Sequence, residues 1–71
     1  RQLQNWRIQA TSKLHQIRDE DFYYSAPMAL SDEVASWIRQ ELPTFVEKIN
    51  AKVIPSKSEV VRCLNIDWFE Y

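Results

Sequence analysis

Few side chains in this 71-residue sequence are of the types that build catalytic or metal sites, and their spacing limits what they can do. The single histidine, His15, has Thr11 four residues before it and Arg18 three residues after it. Neither is a second metal ligand, and no nucleophile stands at a useful spacing for base catalysis. A partly exposed histidine without a ligand is expected. Cys63 follows Arg62, whose cation would lower a thiol pKa if it were aimed at the sulfur. Adjacent residues of an extended segment point to opposite faces, so Cys63 is expected to be a buried structural cysteine. Asp19-Glu20-Asp21 offers carboxylates to a hard cation, but such loops turn tightly on a glycine. The chain has no glycine, so a solvated turn is expected instead. Asp67 and Glu70 sit near the chain end and on opposite faces of an extended segment. They do not form the paired carboxylates of acid–base catalysis. The expectation is a protein that is not an enzyme, with no catalytic residue, no metal ligand and no cofactor site; phosphate-cradling glycine loops are excluded outright.

The aromatic residues invite a different chemistry. Trp6, Trp37, Trp68, three tyrosines and three phenylalanines make up 13% of the chain. They can form a core, each contributing roughly 1.5–3 kcal/mol when buried. They can also anchor an interface, where Trp and Tyr are over-represented. Trp37 is the leading anchor, because Ile38 better continues the stripe set by Val34, Leu42 and Phe45. The expected interface residues are Trp6, Ile8, Tyr23, Trp37 and Phe69.

The elements that must position these groups follow from periodicity. Leu3, Trp6, Ala10, Leu14 and Ile17 recur at steps of three and four, which predicts an amphipathic helix over residues 2–17. Ile8, Thr11 and His15 give it a second, weaker face, and the acidic run Asp19–Asp21 marks a turn. Phe22, Tyr24, Ala26, Met28 and Leu30 alternate with their neighbours, which predicts a strand over 22–30, with Pro27 confining it to an edge or a bulge. Ser31-Asp32-Glu33 is a helix start, a hydroxyl cap followed by two acids at the positive end of the dipole. The second helix is predicted from Asp32 to about Val53, with a kink or break at Pro43, which lies opposite the carbonyl of Arg39. Pro55–Ser58 is a polar turn, and Glu59–Tyr71 is predicted as the second strand.

This order predicts an α+β fold, a small helix–strand–helix–strand domain with two parallel strands and a right-handed crossover. Two strands alone are marginal. Two copies meeting edge to edge would complete a four-stranded sheet, so a homodimer is expected.

Length allows one domain over residues 1–71, and the absence of an initiator Met suggests a piece of a longer chain. Nine Lys/Arg against ten Asp/Glu give a net charge of −1, a poor basis for binding nucleic acid unaided. A single cysteine fits a reducing, cytoplasmic setting. No stretch is long enough to span a membrane, and no signal peptide opens the sequence.

A family resemblance rests on short motifs spread over Arg18–Phe69. They are Arg18 ahead of Tyr24-Ser25, then Leu30-Ser31, Leu42-Pro43-x-Phe45, and Val61-x-x-Leu64-Asn65-Ile66-x-x-Phe69, with Leu3-Gln4-Asn5-Trp6 as a looser echo upstream. In these the chain resembles the C-terminal domain, of unassigned function, of a bacterial family taken to be helix-turn-helix transcription regulators, common in predatory and fibre-degrading bacteria. Trp68 and Glu70-Tyr71 depart from the family pattern, which has an aliphatic residue and a proline there. The resemblance implies a regulatory or dimerisation module, with DNA contacted only by an N-terminal part outside this sequence. It carries over no catalytic residues.

The function expected is therefore a non-catalytic dimerisation or sensing domain of a cytoplasmic bacterial transcription regulator. The alternative is a docking module that takes another protein or a small signalling ligand through an open strand edge or an aromatic pocket. Asn65, placed between core-facing neighbours, is expected either to reach water or to tie down a nearby backbone group.

Overall fold

The computed structural model describes residues 2–71 and contains two α-helices, α1 (Gln2–Ser12) and α2 (Asp32–Val53), with a short 3-10 turn at Leu14–Gln16 between them. The chain divides into two units. One comprises the residues up to Ala26 together with Arg62–Phe69; the other comprises Pro27–Val61 with Glu70–Tyr71.

In the first unit, α1 is shorter than its apolar spacing predicts. The hydroxyls of Thr11 and Ser12 donate to the carbonyls of Arg7 (3.1 Å) and Gln9 (2.7 Å). Such side-chain bonds compete with the helical ladder. Lys13 then leaves α geometry at φ −102°, ψ 6°. The chain tightens into bonds of three-residue span, Lys13 N–H to Ala10 O and Gln16 N–H to Lys13 O. At Ile17 the backbone is extended, and it turns at Asp19-Glu20, where the Asp21 N–H donates to Arg18 O at 2.9 Å.

In the second unit, α2 begins where the sequence places it. The Ser31 hydroxyl accepts from the Val34 N–H at 3.1 Å, and Asp32 and Glu33 occupy the first turn. Lys52 sits in the last turn, facing the negative end of the dipole. The helix runs unbroken through Pro43, so of the kink or break expected there, the break does not occur. A turn through Ile54-Pro55-Ser56 follows, held by Ser56 N–H to Val53 O at 3.0 Å.

The expected α+β fold is overturned, because the described residues contain no strand and no sheet. A strand exists only when its backbone groups pair with another strand. Outside the helices, every backbone hydrogen bond here is a local turn or cap. Phe22–Leu30 and Glu59–Tyr71 donate nothing to each other, and Pro27 has no N–H to donate. The alternation that suggested strands is present as side-chain placement only. Phe22 and Tyr24 lie on the same side and stack with ring centroids 6.4 Å apart and planes 11° from parallel. With the strands goes the expected edge-to-edge, four-stranded dimer.

A second expectation fails with the sheet. None of the described residues is buried, and large apolar side chains from Leu3 to Tyr71 stand exposed. Cys63, expected in a core, is exposed as well, because there is no sheet face for it to be buried under. Diluted until light scattering reads a single chain, the protein should show a calorimetric heat-capacity step well below the usual ~12–15 cal/mol/K per residue, since that step reports apolar burial. A full-sized step from a single chain would contradict this.

Candidate functional site

Polar side chains, beside a half-buried Trp68, hold the C-terminal extended segment within the first unit. The Arg7 guanidinium forks onto the Asp67 carboxylate, Nε donating to Oδ2 at 2.6 Å and the second nitrogen donating to Oδ1. Two parallel N–H···O bonds of this kind fix orientation as well as proximity. Asn65 Nδ2 donates to the carbonyl of Trp6 at 3.3 Å, so of the two roles expected for Asn65 it takes the backbone-tying one. One helical residue apart, Trp6 and Arg7 thus receive two residues of the segment that lie on the same side of its alternation.

A second group of ties gathers at the turn. The Arg62 guanidinium donates to Asp21 Oδ1 at 3.2 Å and to Glu20 O at 3.5 Å. Asp21 Oδ2 also accepts the Arg18 N–H at 2.9 Å. The acidic run is therefore not simply solvated: Asp21 closes its own turn and then pairs with a cation 41 positions later. Tyr23 completes the unit by donating its hydroxyl to Ala10 O at 2.8 Å.

These bonds set the charge states. The backbone N–H of Arg18, then the hydrogen bond and charge of Arg62 with the charge of Arg18, hold Asp21 below the ordinary 3.8, against a smaller opposing effect of partial burial. The hydrogen bond and charge of Arg7 likewise lower Asp67, and Asp67 in turn raises Arg7. Both aspartates act as fixed anions toward arginines, an arrangement that holds backbone in place and leaves no free base.

The residues expected at an interface are divided between the two units. Trp6 and Ile8 lie on α1, 50% and 56% exposed, and two residues apart they face different sides of the helix. Tyr23 is tied to α1 through its hydroxyl, and Phe69 is 75% exposed on the C-terminal segment. Trp37 belongs to the second unit, where it is 59% exposed on α2 beside a half-buried Ile38. His15 sits exposed in the 3-10 turn. The Cys63 thiol donates to Asn65 Oδ1 at 3.7 Å, while Arg62 turns to Asp21 and Glu20 instead. Among the described residues, no three His, Cys, Asp or Glu side chains gather as metal ligands do.

The surface that emerges instead is one face of α2. Ala35, Ile38, Leu42 and Ile49 are half-buried, and Val34, Phe45, Val46 and Val53 continue the same side exposed. Within its own unit, α2 has no second helix to pack on. None of the helices is long and apolar enough to cross a membrane, among the described residues. No family model, no curated protein and no solved structure matches this chain.

The Arg7–Asp67 fork makes a titration prediction. Because the folded value of Asp67 lies below 3.8, the tie is fully present above that pH and is lost as pH falls through the lower folded value. Following the Asp67 carboxyl by NMR should give a midpoint below 3.8, and Arg7→Ala should return it to about 3.8. In a parallel experiment, Asn65→Ala should weaken the docking of residues 62–69 on α1 by ~0.5–1.5 kcal/mol, read as a return of the Asp67 midpoint toward 3.8 in the same titration. An unchanged Asp67 midpoint would mean the Trp6 carbonyl is not a working anchor.

Proposed function

We propose that this chain is a non-catalytic dimerisation module. The observation that carries the reading is the absence of any buried residue among those described, together with a continuous apolar face on a 22-residue helix. Monomeric soluble proteins rarely leave large contiguous apolar surface to water, and where they do, it marks a binding surface. Two copies that share such faces gain the burial that neither obtains alone.

The motifs in which the chain resembles the bacterial regulator family lead us to place the module in a cytoplasmic transcription regulator. There, pairing of two copies would set the separation of two DNA half-sites. A net charge of −1 suits that division of labour, since phosphate contacts would come from residues outside this sequence. Translation of the reading frame upstream of Arg1 tests the setting, with a basic helix-turn-helix expected.

Sedimentation equilibrium of the 71-residue chain from about 10 µM to 1 mM tests the module itself. A reversible monomer–dimer equilibrium in this range corresponds to roughly −4 to −7 kcal/mol of association. A strictly monomeric chain at the upper concentration would remove the proposal.

A further inference from the structure

We infer that two copies of α2 pair antiparallel, through a seam formed by Ala35, Ile38, Leu42, Phe45, Ile49 and the stem of Lys52. The inference rests on the dimerisation reading and specifies its geometry. These six residues are spaced 3, 4, 3, 4 and 3 apart, the alternation that keeps one stripe facing a partner helix. The seam rises about 25 Å along the axis. Four of its members are half-buried aliphatics, Ala35, Ile38, Leu42 and Ile49, and Phe45 is 50% exposed. Pro43 and Thr44 fall on the outer side, so the ring that lacks an N–H does not enter the seam.

Orientation follows from what each direction brings together. In an antiparallel pair, Ile38 meets Ile49 of the second copy and Leu42 meets its Phe45, and Ala35 leaves room for its Lys52 stem. Two-fold symmetry repeats each layer. The flanking positions then set Glu41 beside Lys48 of the second copy, twice, and both side chains are exposed and free to reach. Asp32 and Glu33 at the start of one helix lie toward the end of the other that carries Lys52, and the two helix dipoles oppose. A parallel pair gives none of this. It sets Lys52 against Lys52 and Phe45 against Phe45 in the seam, and it faces Glu41 and Lys48 with Val46 and Val53. Charge complementarity thus selects the antiparallel arrangement. Trp37 lies off the seam in either direction.

Reciprocal charge reversal in the 71-residue chain tests the pairing. Glu41→Lys alone creates two Lys–Lys contacts, and Lys48→Glu alone creates two Glu–Glu contacts. Each variant should dimerise roughly tenfold or more weakly than the parent at low salt. Mixed one to one, the two variants should restore association close to the parent's, because both flanking pairs become Lys–Glu again. Circular dichroism at matched concentration checks that α2 persists in each. If the parent dimerises but neither reversal weakens it, or the mixture does not recover, the antiparallel seam is wrong while the module reading stands. If the parent remains monomeric at about 1 mM, the module reading fails and takes the seam with it.

Discussion

The C-terminal segment returns to α1 because Arg7 takes hold of Asp67 across 60 positions of chain. Closing a loop of that length costs about 4 kcal/mol of chain entropy, before any constant for stiffness. A single exposed ion pair is far weaker than that. The segment stays only because the fork acts together with the Asn65 bond to Trp6 and the Arg62 bonds to the Asp19–Asp21 turn. Every one of these ties is a hydrogen bond open to solvent, so each exchanges readily with water. The first unit is accordingly held by direction and number rather than by burial.

The second unit obeys a different constraint. α2 has a hydroxyl cap, two acids at its start and a lysine at its end, which together favour the helix without any partner. Pro43 withholds one N–H from Arg39, a local loss that the remaining turns absorb. Local signals thus supply the shape of α2, and its apolar side is the face that the proposed pairing would dehydrate.

This division explains what could be read from the residues. α2 was legible because Ser31, Asp32 and Glu33 announce its start and the apolar period runs on to Val53. The far end of α1 was not, because Leu14 and Ile17 keep the helical spacing while Thr11 and Ser12 undercut the backbone. The alternation in Phe22–Leu30 and Glu59–Tyr71 is real, yet a pleat of side chains says nothing about whether a neighbouring backbone is there to pair with. Arg7 with Asp67 and Arg62 with Asp21 were invisible for a simpler reason: residues 60 and 41 positions apart carry no mark of each other in the sequence. Asn65 sat between. Its need for a partner was plain, but the identity of the Trp6 carbonyl was not.

No described residue takes a positive φ, and the turns at Asp19-Glu20 and after Val53 are built wholly from right-handed and extended backbone. In a chain without glycine, the denatured ensemble is stiffer residue for residue, since every position carries the steric restriction of a Cβ. Such a chain has fewer conformations to surrender when it becomes ordered. In the proposed pair, that thrift would lower the entropic cost of locking two copies together. Inserting a glycine at either turn would hand the denatured chain back that freedom without removing a single contact.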